Sequence, residues 1–337
     1  RSTLSSSSAA SDVYKRQIFS ITGPDDFELR ALEIFEFQYG NNSVYRQFCD
    51  LLKTTPKEVT TIEEIPFLPI EFFKSHTIVS STKPSEKIFT SSGTTGQLTS
   101  KHFVTDLDIY VESFRRGFTH FYGSVDDYAV LALLPSYLER EGSSLIFMAD
   151  DLIKKSRNPH SGFYLHDLDG LKEKIELLEK QEQKILLIGV SFALLDLVER
   201  FSFNLKHTII METGGMKGRR KEMIRAELHR ILKDGFGVEK IHSEYGMTEL
   251  LSQAYSTGDG LFTCPPWMKI LIRDPEDALS LLPNGKTGGI NIIDLANINS
   301  CSFIATQDLG KNFGGGKTEI LGRFDNSDIR GCNLLIL

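Results

Sequence analysis

From Leu107 to Lys233 the chain alternates long apolar segments of helical spacing with short ones of strand length, and that alternation leaves few folds open. Leu107 to Phe121 reads as a helix, Tyr128 to Leu134 as a strand, and Ser143 to Lys154 and Leu171 to Lys180 as helices. Ile185 to Ile188 reads as a strand, Phe192 to Arg200 as a helix, Thr208 to Met211 as a strand and Arg219 to Lys233 as a helix. Strands joined by helical crossovers pair in parallel, so the expectation is an α/β fold whose mostly parallel sheet is covered by helices. Beyond Lys233 the pattern changes to short strands, Lys269 to Ile272, Gly289 to Ile293, Ser302 to Ala305 and Thr318 to Leu321, which predict a smaller β-rich, antiparallel or barrel-like subdomain. Before Leu107, Asp25-Asp26 opens a helix whose apolar positions run from Phe27 to Phe37, and Val44 to Leu52 reads as a second. Ile65 to Phe73 sets two prolines among aromatics, as either a connector anchored in the core or a wall for an apolar acyl chain. The expected organisation is a Ser-rich leader outside the fold over 1–17, an α/β region over 18–260, a β-rich subdomain over 261–322, and a hinge and tail over 323–337.

Composition removes several classes of function. At 337 residues, 40% hydrophobic, the chain can bury a core without help from disulfides. Its 38 basic and 45 acidic residues give a net charge of −7 with no basic block, which argues against nucleic acid as a partner. Cys49, Cys264, Cys301 and Cys332 lie far apart with no C-x-x-C pair, a usage that fits a reducing cytoplasm and argues against a zinc site. No apolar run approaches the roughly 20 residues of a membrane span.

Five segments carry candidate chemistry. Thr90-Ser91-Ser92-Gly93-Thr94-Thr95-Gly96 has hydroxyls and glycines and no bulky side chain, so its backbone can approach a ligand and point donors at an anion. It lacks the spacing of a P-loop, and by itself such a loop is more often a flexible connector. Lys87 to Phe89 reads as a strand before it and a helical pattern begins near Leu107, which puts the loop where doubly wound proteins hold ligands. Met211 to Arg220 contains Gly214-Gly215 between a strand and a helix, able to admit a flat ring or simply to turn the chain. His242 to Glu249 brings together Tyr245, Gly246, Thr248 and Glu249; Thr248 can donate to a phosphate and Glu249 can hold Mg²⁺ or remain a solvated carboxylate. In Thr306 to Gly310, Asp308 at a strand end can accept from two ribose hydroxyls or close an Asx turn. Arg323, at the next strand end, is a nucleotide contact or a surface ion pair.

The ordered set T-S-S-G-T-T-G, Y-G-M-T-E, T-Q-D-L-G and G-R-F-D resembles the adenylate-forming acyl and aryl ligases. The wider run, with L-P-S-Y-L-E-R-E-G-S-S from Leu134, M-E-T-G-G-M-K-G-R-R and the terminal R-G-C-N, is most similar to the acyl-protein synthetase (LuxE-type) branch from about Phe27 to Asn333. The resemblance implies the large N-terminal domain of that fold, with the usual C-terminal lid absent or truncated and no counterpart of its lysine: either adenylation runs without it, a lysine such as Lys311 or Lys317 substitutes, or a partner completes the site. It implies ATP and Mg²⁺ as cofactors, with Ser91 to Gly96 on the β and γ phosphates and Gly214, Gly215 and Tyr245, followed by Gly246, along the adenine and acyl pocket. Thr248 would touch phosphate, Glu249 the metal, Asp308 the ribose, and Arg323 ribose or phosphate, with Lys101 or Lys217 adding charge. Cys332, flanked by Arg330 and Gly331, is the candidate acyl acceptor, against the alternative of a buried thiol in a terminal strand. Cys49, Cys264 and Cys301 read as packing residues.

The implied activity is ATP-dependent activation of a carboxylic acid, by resemblance a fatty acid, as an acyl adenylate. Transfer to a cysteine and delivery to an acyl-CoA reductase-like or acyl-carrier partner would follow. A phenylacetate-type acyl or aryl coenzyme A ligase and a non-catalytic nucleotide-binding subunit are the alternatives.

Overall fold

The computed structural model describes residues 15, 17–91, 98–136, 140–214 and 223–323. They fall into two compact units that do not follow chain order. One comprises the described residues of Arg1–Ser113, Thr248–Ser252 and Thr263–Leu337, the other Phe114–Met247 and Gln253–Phe262.

The first unit is built on an antiparallel sheet. Strands β11 (Met268–Arg273), β12 (Thr287–Asp294), β13 (Phe303–Gly314) and β14 (Lys317–Arg323) pair in sequence order, and β1 (Leu68–Pro69) adds to β13 in parallel, with Leu68 opposite Ile304. β11 alternates buried and half-buried residues, while β12 is buried from Gly288 to Asp294. This alternation marks one buried face for β11, and the continuous burial marks a central strand covered on both sides. Helix α1 (Pro24–Asn41) starts on a proline with Asp25 and Asp26 in its first turn, where a fixed φ and negative charge both favour an N-terminus. Its buried residues Phe27, Ala31, Ile34, Phe35 and Gln38 recur at helical spacing. Asn42 then caps α2 (Ser43–Leu51) by accepting from the Tyr45 N–H at 3.0 Å. Gln38 reaches into the turn before β13: its amide donates to the Asn297 and Ile298 carbonyls at 3.0 and 2.9 Å and accepts from the Ser302 N–H at 2.9 Å. Asn42 does the same from one turn further, donating to the Ser300 carbonyl at 3.0 Å. The Ile65 to Phe73 segment anchors in the core through Phe67, Leu68 and Phe73, and leads into α3 (Phe72–Ser75).

One expectation is corrected in this unit. The hydroxyl-rich loop does not run from a strand toward a helix: β2 (Lys87–Thr90) pairs antiparallel with β3 (Lys101–Val104), so the loop connects a hairpin. β3 is only four residues long, with exposed Lys101 and half-buried Phe103 alternating with buried His102 and Val104, too short a pattern to separate from the loop before it. Ser91 and Ser100 close the hairpin base. The Ser91 N–H donates to the Ser100 carbonyl at 3.1 Å and the Ser100 N–H to the Ser91 hydroxyl at 2.9 Å.

The second unit carries the expected parallel sheet. Its order is β5 (Gly162–Phe163), β4 (Tyr128–Leu133), β6 (Lys184–Val190), β7 (Thr208–Thr213), β8 (His242–Tyr245) and β9 (Ala254–Ser256), all parallel except β9. The strands alternate with α5 (Ser144–Ser156), α6 (Leu168–Lys180), α7 (Ser191–Arg200) and α8 (Arg225–Phe236), and α4 (Leu107–Tyr122) enters this unit at Phe114. β4 and β6 are almost wholly buried, as strands of a sheet covered on both faces must be. α8 starts at Arg225; the part of the expected helix over 219–222 lies outside the described residues. It ends at Gly237 with φ +67°, where a Cβ would lie 2.8 Å from the Phe203 carbonyl, so both conformation and space require glycine. Among the described residues no helix is long and apolar enough to cross a membrane.

Candidate active site

In the first unit the site is built around Thr248 and Glu249. These two residues follow β8 in the chain and are held through their backbone. The Thr248 carbonyl accepts from His102 Nδ1 at 2.8 Å, and the Glu249 carbonyl from the Asn297 amide at 2.6 Å. Just beyond them, buried Asp294 accepts from the Leu251 N–H at 2.8 Å, the Ser252 N–H at 3.0 Å and the Ser252 hydroxyl at 2.6 Å. The Glu249 side chain is 5% exposed. It is not the solvated carboxylate that a lone Glu usually is. Burial pushes its carboxyl up, opposed by a hydrogen bond with Ser100 and by the positive charges of Arg323 and Lys74. A desolvated carboxylate on a fixed backbone is a strong ligand for a hard cation.

Thr90 and Ser91 are half-buried at the end of β2, and Lys101 is exposed opposite Thr90 in the hairpin. Asp308 faces Arg323 across β13 and β14, with Arg323 Nε 4.0 Å from its carboxylate and the arginine side chain 83% exposed. Asp308 lies within β13 and not at a strand end, as the sequence pattern suggested: the strand continues past a register shift at Leu309/Gly310 that a residue-by-residue pattern does not reveal. Its N–H meets the Thr306 hydroxyl at 3.1 Å.

In the second unit, the ends of adjacent parallel strands carry the other candidates. β7 pairs with β8 up to Thr213 opposite Glu244, and Gly214 and Tyr245 come next on each strand. This is the carboxyl edge of a parallel sheet, where open α/β folds bind ligands. Gly214 is left-handed at φ +66°, and its carbonyl accepts from the Ser191 hydroxyl at 2.7 Å. The Thr213 hydroxyl donates to the Glu244 carboxylate. A Cβ on Gly246 would lie 2.5 Å from that same carboxylate. Beneath Gly214, Glu212 has Arg225 Nε and His229 Nε2 each 3.5 Å from its carboxylate. Burial disfavours its charge, but the His229 hydrogen bond and the Arg225 charge outweigh that and hold its carboxyl below the usual range. The Tyr245 ring meets Phe262 edge to face at 6.1 Å.

The sequence reading missed Ser100, His102, Asp294 and Asn297, which hold the Thr248 to Ser252 stretch from other segments. Only His102 carried a signal, a lone histidine in an otherwise hydroxyl-rich and apolar run. Ser92 to Gly96, Gly215, Lys217 and Cys332 lie outside the described residues. The three described cysteines are poor nucleophiles. Burial pushes the Cys49 thiol up to about 12, burial with the Asp294 carboxylate does the same for Cys264, and Cys301 is raised further. Among the described residues no group of three or more His, Cys, Asp or Glu is placed to hold a metal. A single buried carboxylate beside a threonine fits the way Mg²⁺ is held by one carboxylate together with substrate phosphates.

Solved structures share this architecture. ATP-bound MatB from Rhodopseudomonas palustris matches with a TM-score of 0.53 at 21% identity, over 73% of this chain and 48% of that one. The 2-hydroxyisobutyryl-CoA ligase in its postadenylation state, in complex with 2-HIB-AMP, matches with a TM-score of 0.65 at 12% identity, over 90% of this chain and 68% of that one. The chain thus spans about half the length of MatB, and its fold is that of the adenylate-forming ligases. Among curated proteins, the long-chain-fatty-acid–luciferin-component ligase of Vibrio harveyi is 23% identical over 323 residues, covering 89% of this chain and 84% of that protein. The family described as acyl-protein synthetase, LuxE, matches over residues 8–115 and 164–337, and the chain belongs to that family of AMP-forming acid ligases.

Proposed function

We propose that the protein activates a fatty acid with ATP and carries the acyl group as a thioester on Cys332. The observation that carries this reading is the buried, backbone-clamped Glu249 beside Thr248, in a chain of the acyl-protein synthetase family. In the first step a carboxylate oxygen of the acid attacks the α phosphorus of ATP. The bond from that phosphorus to the bridging oxygen breaks, and pyrophosphate leaves with the electron pair. Mg²⁺ held by Glu249 would neutralise charge on the phosphates. The chain's own task is to fix the reactants and stabilise developing charge. Thr248 donates its hydroxyl to a phosphate oxygen, the hydroxyls and amides of Thr90 to Gly96 receive the pyrophosphate, and Lys101 adds positive charge. Asp308 accepts from the ribose hydroxyls, Arg323 contacts ribose or phosphate, and Gly214, Gly215, Tyr245 and Gly246 form the nucleotide and acyl walls.

In the second step the Cys332 thiol loses its proton to solvent and its sulfur attacks the acyl carbonyl. The C–S bond forms as the C–O bond to AMP breaks. A thiolate outcompetes water for a mixed anhydride, and Arg330 favours the thiolate. The acyl group is then passed to a reductase or carrier thiol. Incubation with ATP, Mg²⁺ and a fatty acid, followed by mass spectrometry, should place one acyl mass on the Cys332 peptide. Cys332→Ser should lose that mass while retaining acid-dependent pyrophosphate exchange. Full acylation of the Ser variant through another cysteine would refute the assignment.

A further inference from the structure

A small cavity in the first unit is lined by His102, Thr105, Asn297, Ile109 and Leu251 among others, with room for about one water molecule. Three of its polar residues each present a buried side-chain atom with no hydrogen-bond partner among the described residues: His102 Nε2, Thr105 Oγ1 and Asn297 Oδ1. All three residues are at most 1% exposed. Buried polar atoms in folded proteins are almost always satisfied, so three at one cavity point to an occupant.

The hydrogen-bond inventory identifies it. A carbonyl oxygen only accepts, so the contact of His102 Nδ1 with the Thr248 carbonyl puts the proton on Nδ1. Likewise the Asn297 amide nitrogen must face the Glu249 carbonyl, which turns Oδ1 the other way. Burial holds the His102 imidazole down at about 4, against the Thr248 carbonyl and the Asn297 side chain, which both favour its charged form, so at neutral pH Nε2 carries a lone pair. The three orphaned atoms are therefore two acceptors and one hydroxyl, and Asp106, Asn299 and Ser300 complete the polar part of the lining. The Thr105 hydroxyl has a single proton and cannot serve both. A water molecule supplies two donors and one acceptor, matching the set.

We infer that a buried water bridges His102, Asn297 and Thr105, and that it makes His102 and Asn297 a coupled pair of positioning residues for the peptide that carries Thr248 and Glu249. His102 grips the carbonyl on one side of that peptide and Asn297 the next. The water fixes the tautomer of one and the amide orientation of the other, and the Phe73 ring, edge-on to His102 at 5.8 Å, limits rotation of the imidazole. Loosening the pair moves the Thr248 hydroxyl and the Glu249 carboxylate together. The kinetic consequence rests on the acid-activation reading above, while the water and the tautomer do not.

Both parts are testable on the full chain. A crystal structure at high resolution should show one water within hydrogen-bond distance of all three atoms, and ¹⁵N-histidine NMR at pH 7 should show His102 as a neutral Nδ1–H tautomer. In pyrophosphate exchange, His102→Leu should lower kcat on the order of tenfold or more with KM for ATP and acid nearly unchanged. His102→Asn, whose amide mimics the Nδ1–H donor, should recover most of that loss, and it covers the case in which the Leu variant does not fold. Thr105→Val should have a smaller effect of the same kind. An Nε2–H tautomer, an imidazolium, a dry cavity, or an Asn variant as impaired as the Leu variant would overturn the proposal. No exchange in the wild type, with the water and tautomer as expected, would instead refute the functional reading.

Discussion

Glu249 shows how a single residue is made fit for the metal role proposed for it. Its backbone is clamped by Asn297, its carboxylate is taken out of water, and the Ser100 hydroxyl is within hydrogen-bond reach. Glu249→Gln keeps the shape and removes the charge, so it should lower the exchange rate on the order of 10²-fold and abolish its Mg²⁺ dependence, with a thermal unfolding midpoint no lower than that of the wild type. Unchanged Mg²⁺-dependent turnover would remove the metal role. His102 makes a second prediction at this scale. Its folded pKa, about 4, lies below the ordinary 6.5, so between these values the unfolded chain binds more protons and folding stability is lost as pH falls. At full protonation that loss is about 3 kcal/mol. Buried Asp294, pushed up to about 6, acts in the opposite sense. Comparing His102→Asn with wild type isolates the histidine: the variant's denaturant midpoint should fall less steeply from pH 6.5 to 4. Glu249 was legible in the sequence because it stands in a compact motif. Its supports were not, since His102 and Asn297 lie 146 and 48 residues from the carbonyls they hold.

At the scale of elements, the turn from Asn297 to Ser302 links the first helix to the site. Gln38 on α1 grips that turn through four hydrogen bonds, and Asn297 within it grips Glu249. Replacing Gln38 by Leu strands buried carbonyls and an N–H, and should cost about 3 kcal/mol in urea unfolding. It should also slow exchange by displacing Asn297. A loss no larger than that of a surface substitution would show that the turn is held by other contacts. The long elements of the second unit were readable from periodicity, because β4 and β6 are continuous apolar runs and the helices between them keep a regular stripe. β3 and the inner placement of Asp308 were not. A four-residue strand carries too few alternations, and a bulged strand loses its period at the bulge.

For the molecule as a whole, sequence order hides which segments belong together. Thr248–Ser252 leaves the parallel-sheet unit and joins the unit of α1 and the antiparallel sheet, so a chain that reads as successive domains forms units from interleaved pieces. Two short stretches, 245–246 and 248–249, thereby carry candidate residues for different units within five positions. In the proposed function Thr248 and Glu249 serve the formation of an acyl adenylate. Exchange of labelled pyrophosphate into ATP, measured across carboxylic acids of increasing chain length, tests it most directly. The expected result is Mg²⁺-dependent exchange that needs an acid and runs with fatty acids. Absence of exchange with every acid, from a folded protein that still binds ATP and with an acyl reductase or carrier supplied, would contradict it.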